Sequence, residues 1–252
     1  MLRSFTYSAM TLRVRSSGES NREAWFLTAE EGIIRATVFG GPKSRLRAHV
    51  APFHGGTLWI YHDPVRDSRK VSDFDVKSWR PGIRELWERA MTADAAAETV
   101  LSSQGGGGYW EAAVKLVETV LDALDEADPA ACSLLGVYFL WHWARILGIR
   151  PDFSFCSSCS GEVEPGKPLW YSTRNEAFFC ENCVLTHGNG SNSALRLDPN
   201  ALAWLNALEN LSPNELLRVS PEINPSLEQA RALSQAVLAA ALGKRLPSWE
   251  VM

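Results

Sequence analysis

The sequence predicts an α+β protein: an N-terminal five-stranded OB-type β-barrel, then an α-helical domain carrying an inserted four-cysteine, zinc-ribbon-like module. Three observations predict it. Short runs with period-two alternation fill the first 80 residues, helical periodicity replaces them after Pro81-Gly82, and two Cys-x-x-Cys pairs interrupt the helices. The expected domains are 1–80 and 81–252, with the cysteine module at about 152–188.

The strands come first. Thr11 to Arg15 alternates, Ala24 to Thr28 is a compact apolar run, and Ile33 to Phe39 follows the turn at Glu30-Glu31-Gly32. Thr57 to Tyr61 and Val71 to Trp79 complete five strands, with a short turn expected after Lys43. Five short strands suit a small barrel, because closure removes exposed sheet edges; a small open sheet fits the count as well.

Helices follow. Ile83, Leu86, Trp87, Ala90 and Met91 recur as one helical face, and the run Gly105 to Gly108 then acts as a flexible connector. Ala113, Leu116, Val117, Val120, Leu121 and Leu124 define a second helix. Asp128-Pro129 opens a third, Ala131 to Leu147, which is apolar nearly all round and is therefore expected at the centre of its domain. Pro199 to Leu211 and Ser226 to Leu242 read as later helices.

Composition narrows the function. The chain has 252 residues, 46% hydrophobic, with ten Trp and ten Phe, which excludes disorder as its main character. The first twenty residues lack a continuous apolar block, and the longest apolar stretch, Leu134 to Leu147, is broken by His142 and Arg145. A cytoplasmic protein is expected, without a membrane partner. The net charge of −4 hides an asymmetry: residues 1–80 hold 13 Lys/Arg against 8 Asp/Glu, and residues 81–252 hold 12 against 21. A basic N-terminal third points to a polyanionic partner for that domain, although ordinary scatter of surface charge gives the same count.

Cys156-Ser-Ser-Cys159 and Cys180-Glu-Asn-Cys183 carry the strongest signal. Two thiolates on a tight turn chelate one face of a tetrahedral ion, and a second such turn completes an S4 set with no open position. The expected cofactor is a structural zinc ion on Cys156, Cys159, Cys180 and Cys183. A redox CxxC is disfavoured by the matched second pair, and disulfides by the missing secretory signal. None of the five histidines has Glu two residues on, as a zinc deaminase requires. The fifth cysteine, Cys132, reads as a small core residue.

Enzyme motifs are lacking. Gly161 to Lys167 mimics a phosphate-binding loop, but Pro168 stands where Ser or Thr must ligate magnesium. There is no G-x-S-x-G. No catalytic residue is expected.

The stretch Gly41 to His49 places Lys43, Arg45 and Arg47 within five residues after the third strand, with Arg35 on the same strand-to-loop edge. In an OB-like barrel such loops border the face that tracks a nucleic-acid backbone. Phe39, Phe53, Trp59 and Tyr61 are aromatics able to stack on bases, although alternation assigns most of them to the core. The cationic triplet reads equally as a solvated loop.

Three segments fall in a recognisable order along the first domain: Phe26-Leu27-Thr28-Ala29-Glu30-Glu31-Gly32, Pro42-Lys43-Ser44-Arg45 and Pro52-Phe53. Leu147-Gly148-Ile149-Arg150-Pro151-Asp152 before Cys156, Phe178-Phe179-Cys180, and the ending Leu242 to Ser248 continue it. In these segments the chain resembles the RecO family of bacterial recombination mediators. The resemblance implies binding of single- and double-stranded DNA and annealing of complementary strands. It also implies engagement of RecR and of the acidic C-terminal tail of the single-stranded-DNA-binding protein, in loading the recombinase during gap and double-strand-break repair at the nucleoid. In that family the tail is taken up by the helical body, and zinc ligands vary, but all four are present here. One departure is Phe39-Gly40-Gly41, where the family often has basic residues; it shrinks the expected phosphate-binding patch. Two rivals remain: a zinc-stabilised protein-interaction adaptor without DNA affinity, and a redox enzyme using the CxxC pairs.

Overall fold

The computed structural model describes residues 3–41, 43–187, 194–219 and 225–252. Pro42 of the expected basic loop, and Gly188 where the cysteine module was expected to end, lie outside the described residues. Two compact units divide the chain, residues 1–126 and residues 127–252.

The first unit is built on a closed barrel. Its strands are β1 (Ser4–Ser17), β2 (Asn21–Thr28), β3 (Gly32–Val38), β4 (Gly55–Asp63) and β5 (Ser68–Ser78), in the spatial order β1-β2-β3-β5-β4 with β4 returning to β1. Neighbours pair antiparallel except β3 and β5, which join in parallel through the single pair Thr37 and Lys70. A short helix α1 (Arg45–His49) links β3 to β4. The expected barrel is therefore present, and the turn foreseen after Lys43 is this helix.

Alternation explains the interior. Ala24 and Phe26, Ile34 and Ala36, Leu58 and Ile60, and Phe74 and Val76 point inward and are almost fully buried, with Leu46 of α1 packed against them. The register of β1 against β2 shifts between Thr11 and Arg13. That irregularity puts Val14 among the core residues and leaves Arg15 outside.

A 3-10 turn (Pro81–Arg84), α2 (Trp87–Ser102) and α3 (Trp110–Glu126) complete this unit. The expected α3 face is buried as foreseen. The first expected helical face divides: Ile83 is buried but sits in a separate 3-10 turn started by Pro81, Trp87 is exposed, and the residues α2 buries are small, among them Ala93, Ala96 and Ala97. The glycine run between α2 and α3 is a left-handed connector rather than a loose tether. Gly105 has φ +78, and a Cβ there would lie 3.1 Å from the Ile33 side chain. Trp110 sits directly over Gly32 (φ +69), where a Cβ would be 2.6 Å from its indole nitrogen.

The second unit centres on α4 (Pro129–Ile146), in which thirteen residues are buried, including Cys132, Trp141 and Trp143. Asp128 caps it by accepting a hydrogen bond from the Ala131 N–H, and Pro129 sits at the first turn. Truncating a fully buried Trp of this kind costs about 3–5 kcal/mol. Around it lie α6 (Pro199–Asn210), α7 (Pro213–Val219) and α8 (Pro225–Leu242). Between α4 and α6 come β6 (Leu169–Ser172), β7 (Ala177–Cys180), α5 (Glu181–His187) and β8 (Ala194–Leu197). The cysteine hairpin β6-β7 gains β8 as a third antiparallel strand, an addition the sequence reading lacked. Among the described residues no helix is long and apolar enough to cross a membrane.

Candidate metal centre and candidate nucleic-acid interface

Two turns build the cysteine cluster. The first is pinned by a bridge between Phe155 and Glu162 and by the Cys156 N–H donating to the Gly161 carbonyl. Ser160 takes a positive φ of 55 to close it. The second runs from the end of β7, at Cys180, into the first turn of α5, at Cys183. The Ser157 N–H donates to the Phe178 carbonyl and ties the two turns together. All four sulfurs consequently lie within 4.8 Å of one another. Among the described residues no other group of three or more His, Cys, Asp or Glu is so disposed.

The crowded sulfurs shift one another's acidity in opposite directions. Burial by itself would raise the Cys156 thiol, but the backbone N–H groups of Cys180, Cys159 and Ser158 surround its sulfur and bring it down to about 6. Cys183 goes the other way, to about 12. The Ser158 hydroxyl lowers it, but the neighbouring sulfurs of Cys180, Cys159 and Cys156 outweigh that and push it up. Successive thiolates in so small a volume repel, and a bound dication removes that repulsion. The donor set fits a soft tetrahedral metal.

An aromatic column anchors the module inside its unit. Tyr171 packs on Phe178 at 5.2 Å, Phe178 on Phe153 at 6.2 Å, and Phe153 on Trp141 of α4 at 6.2 Å. Arg150 lies over the Trp141 ring and pairs with Glu209 at 3.2 Å.

The barrel surface differs from expectation in its composition. Lys43 is exposed in the turn before α1. Arg45 opens α1 and donates from Nε to His49 Nε2 at 3.3 Å. Arg47 is half-buried, and its carbonyl accepts from Arg22 at 3.4 Å. Burial, and then the Arg47 charge, hold Arg22 below the usual arginine value, so these two cations share one patch.

Arg35 belongs elsewhere. It stands on the outer face of β3 with its guanidinium 5.6 Å from the Trp25 ring centre, and it pairs with Glu23. Arg15 approaches the same ring at 5.7 Å. Next to this face a cleft of about 470 Å³ is lined by Glu23, Arg35, Thr37, Asp67, Ser68 and Arg69, where β3 and β5 are joined by their single pair. Of the expected aromatics, Phe53 is buried, Phe39 is exposed, and Trp59 and Tyr61 are half-buried, with Lys70 4.6 Å over the Tyr61 ring.

Trp25, Arg15 and Arg22 were missed in the sequence. The signal was there: Trp25 falls between inward Ala24 and Phe26, so period two turns it outward, toward Arg35, with which it is in register.

Comparison with known proteins gives a consistent answer. Residues 1–78 match the family described as Recombination protein O N terminal, and residues 84–250 match Recombination protein O C terminal. The chain is 26% identical over 240 residues to the DNA repair protein RecO of Symbiobacterium thermophilum, covering 93% of this chain and 91% of that protein. It is 26% identical over 243 residues to that of Anaeromyxobacter sp. strain K, covering 95% and 92%. For Maridesulfovibrio salexigens the identity is 22% over 210 residues, covering 80% and 85%. Matches to both halves of one family, in the right order and along nearly the whole length, show that the chain belongs to the RecO family of recombination proteins.

Proposed function

We propose that this chain is a DNA-binding recombination mediator that works without bond chemistry. Membership of the family carries the DNA-repair role. One observation carries the finer reading: Trp25 on the outer face of the barrel, with the Arg15 and Arg35 guanidinium groups 5.7 and 5.6 Å from its ring centre, beside an open cleft. Bases stack on aromatic rings whatever their sequence, and cations beside the ring neutralise the backbone. Arg22 and Arg47, with exposed Lys43 and Arg45, extend the positive surface to one end of the barrel.

Both single- and double-stranded DNA are bound through phosphates, complementary strands are annealed by neutralisation and proximity, and the recombinase is loaded together with RecR. The acidic tail of the single-stranded-DNA-binding protein has a fitting seat in a groove of about 550 Å³ in residues 127–252. Ala232, Ala236 and Ala240 line it, with Lys244 and Arg245 at its edge. Cys156, Cys159, Cys180 and Cys183 hold zinc, which when bound supplies a closed tetrahedral crosslink between the two turns. The setting is the cytoplasm, at the nucleoid.

Fluorescence anisotropy of a labelled single-stranded oligonucleotide tests this across several salt concentrations. Micromolar or tighter binding that falls steeply with salt is expected. The double substitution Lys43→Glu, Arg45→Glu flattens the log–log salt slope by roughly two units, about one per lost phosphate contact. Absence of binding at low salt would return the chain to the adaptor reading.

A further inference from the structure

A second aromatic lies at the far end of β5. Trp79 is 45% exposed, yet its position is tightly determined. The imidazole of His49 meets the indole at 5.4 Å and 88°, and that of His54 at 4.9 Å and 66°.

Each imidazole is itself oriented by a partner on each ring nitrogen. His49 Nδ1 is 2.8 Å from the Phe74 carbonyl and His54 Nδ1 is 2.8 Å from the His49 carbonyl. A carbonyl only accepts, so both Nδ1 atoms carry the proton. Both Nε2 atoms therefore accept from an arginine: Arg45 Nε at 3.3 Å and Arg84 Nη2 at 2.8 Å. The result is a symmetric arrangement, Arg45–His49–Trp79–His54–Arg84, in which two imidazole rings hold the indole and each orients one guanidinium. Among the described residues Arg45 is engaged here through its Nε–H and Arg84 through Nη2, which also reaches the Pro52 carbonyl. Among those residues the other donors of both forks have no partner and are open to a ligand.

Backbone strain supports a purpose beyond packing. Arg80, next to Trp79, has φ +45, and Phe53, next to His54, has φ +70; neither is glycine. The two strained residues are tied together, since the buried Arg80 guanidinium donates to the Phe53 carbonyl at 2.8 Å and to Asp122 at 2.6 Å. Non-glycine residues persist in this region only where surrounding structure over-determines them, and such sites concentrate where ligands bind. Here the effect is to present an indole to solvent.

We infer that Trp79 is a second, preorganised stacking site for single-stranded DNA, taking one base on the indole with flanking phosphates on Arg45 and Arg84. The inference rests on the nucleic-acid reading of the barrel, and extends it from the β2–β3 face to the opposite end of β5. Arg45 joins the two, as a member of the basic loop and of this arrangement.

The test uses the full chain, zinc-loaded, with a labelled 15-nucleotide oligothymidylate. Trp79→Leu is expected to weaken binding between about fivefold and 150-fold, the range of one lost base stack, whereas Trp79→Phe stays near the unsubstituted protein. In parallel, the unsubstituted protein is photocrosslinked to an oligonucleotide containing 5-iododeoxyuridine, and an adduct on the peptide containing Trp79 is expected. That readout stands even if Trp79→Leu fails to fold. Binding that depends on Trp25 but not on Trp79, without an adduct there, would overturn the second site and leave the proposed function intact. Failure of the unsubstituted protein to bind the oligonucleotide at all would overturn both.

Discussion

The cysteine cluster and the barrel surface are assembled by opposite means. At the cysteines, two local turns each contribute a pair of ligands two residues apart, and one hairpin brings the turns together. On the barrel, the side chains around Trp25 come from β1, β2 and β3 and meet only because strand register aligns them. The Trp79 arrangement is more dispersed still, drawing on α1, the segment before β4, and the turn after β5. A site made of local turns needs only a few contiguous residues on each side, whereas a site made of register depends on the whole barrel.

The largest effect that separates them is expected at the metal. Cys156→Ser, or chelation of the ion, removes an interaction with an apparent strength of about 10–16 kcal/mol in small zinc domains. Metal content should fall to zero and limited proteolysis should open the segment 153–187, while single-stranded DNA binding by the barrel persists. Loss of DNA binding with the metal would break the distinction.

The barrel has its own anchor in Arg80, which is 5% exposed. Arg80→Met keeps the stem but leaves the buried Phe53 carbonyl without its donor, a loss of about 1–3 kcal/mol. Urea denaturation should show that loss, with zinc content unchanged.

The smallest effect is titration. Burial is the main influence holding His142 below the ordinary histidine value; the Leu208 carbonyl opposes it, and Arg150 and Arg145 add to it. Burial likewise depresses His54 in the barrel unit. A histidine with a depressed folded value is protonated first in the unfolded chain. Stability is therefore fully present above about pH 6.5 and declines as pH falls from there toward the folded values. Chemical denaturation between pH 7 and pH 5 should show this slope, and His142→Gln should flatten it in the helical unit alone. An equal slope in the variant would assign the acid sensitivity to the thiolates instead.

Much of the architecture was legible from residues 4 to 147. Period two located five strands, and the apolar-all-round run located the central helix, because both patterns report burial directly. The first helix was misplaced because Pro81 breaks it into a separate turn and because its buried residues are mostly alanine and threonine, which carry little periodic contrast. Sequence texture changes where the strands end, near residue 80, whereas contacts group α2 and α3 with the barrel. Among the tryptophans, helical position said little: Trp141 and Trp143 are core, Trp87 is exposed, and Trp110 covers Gly32.

The sites divide along the same line. Spacing alone named all four cysteines, since chelation by CxxC is set over a few residues. It also marked Arg35 and Arg45 as surface cations. Only the folded barrel showed that Arg35 serves Trp25 rather than the basic loop, that Arg47 neighbours Arg22, and that Arg45 is tied to His49. The reason is physical. Hydrophobic period and metal spacing are properties of contiguous chain, and the sequence by itself determined those. Which outward side chains become neighbours is set by register, bulges and closure of the barrel, and only the tertiary structure decided that.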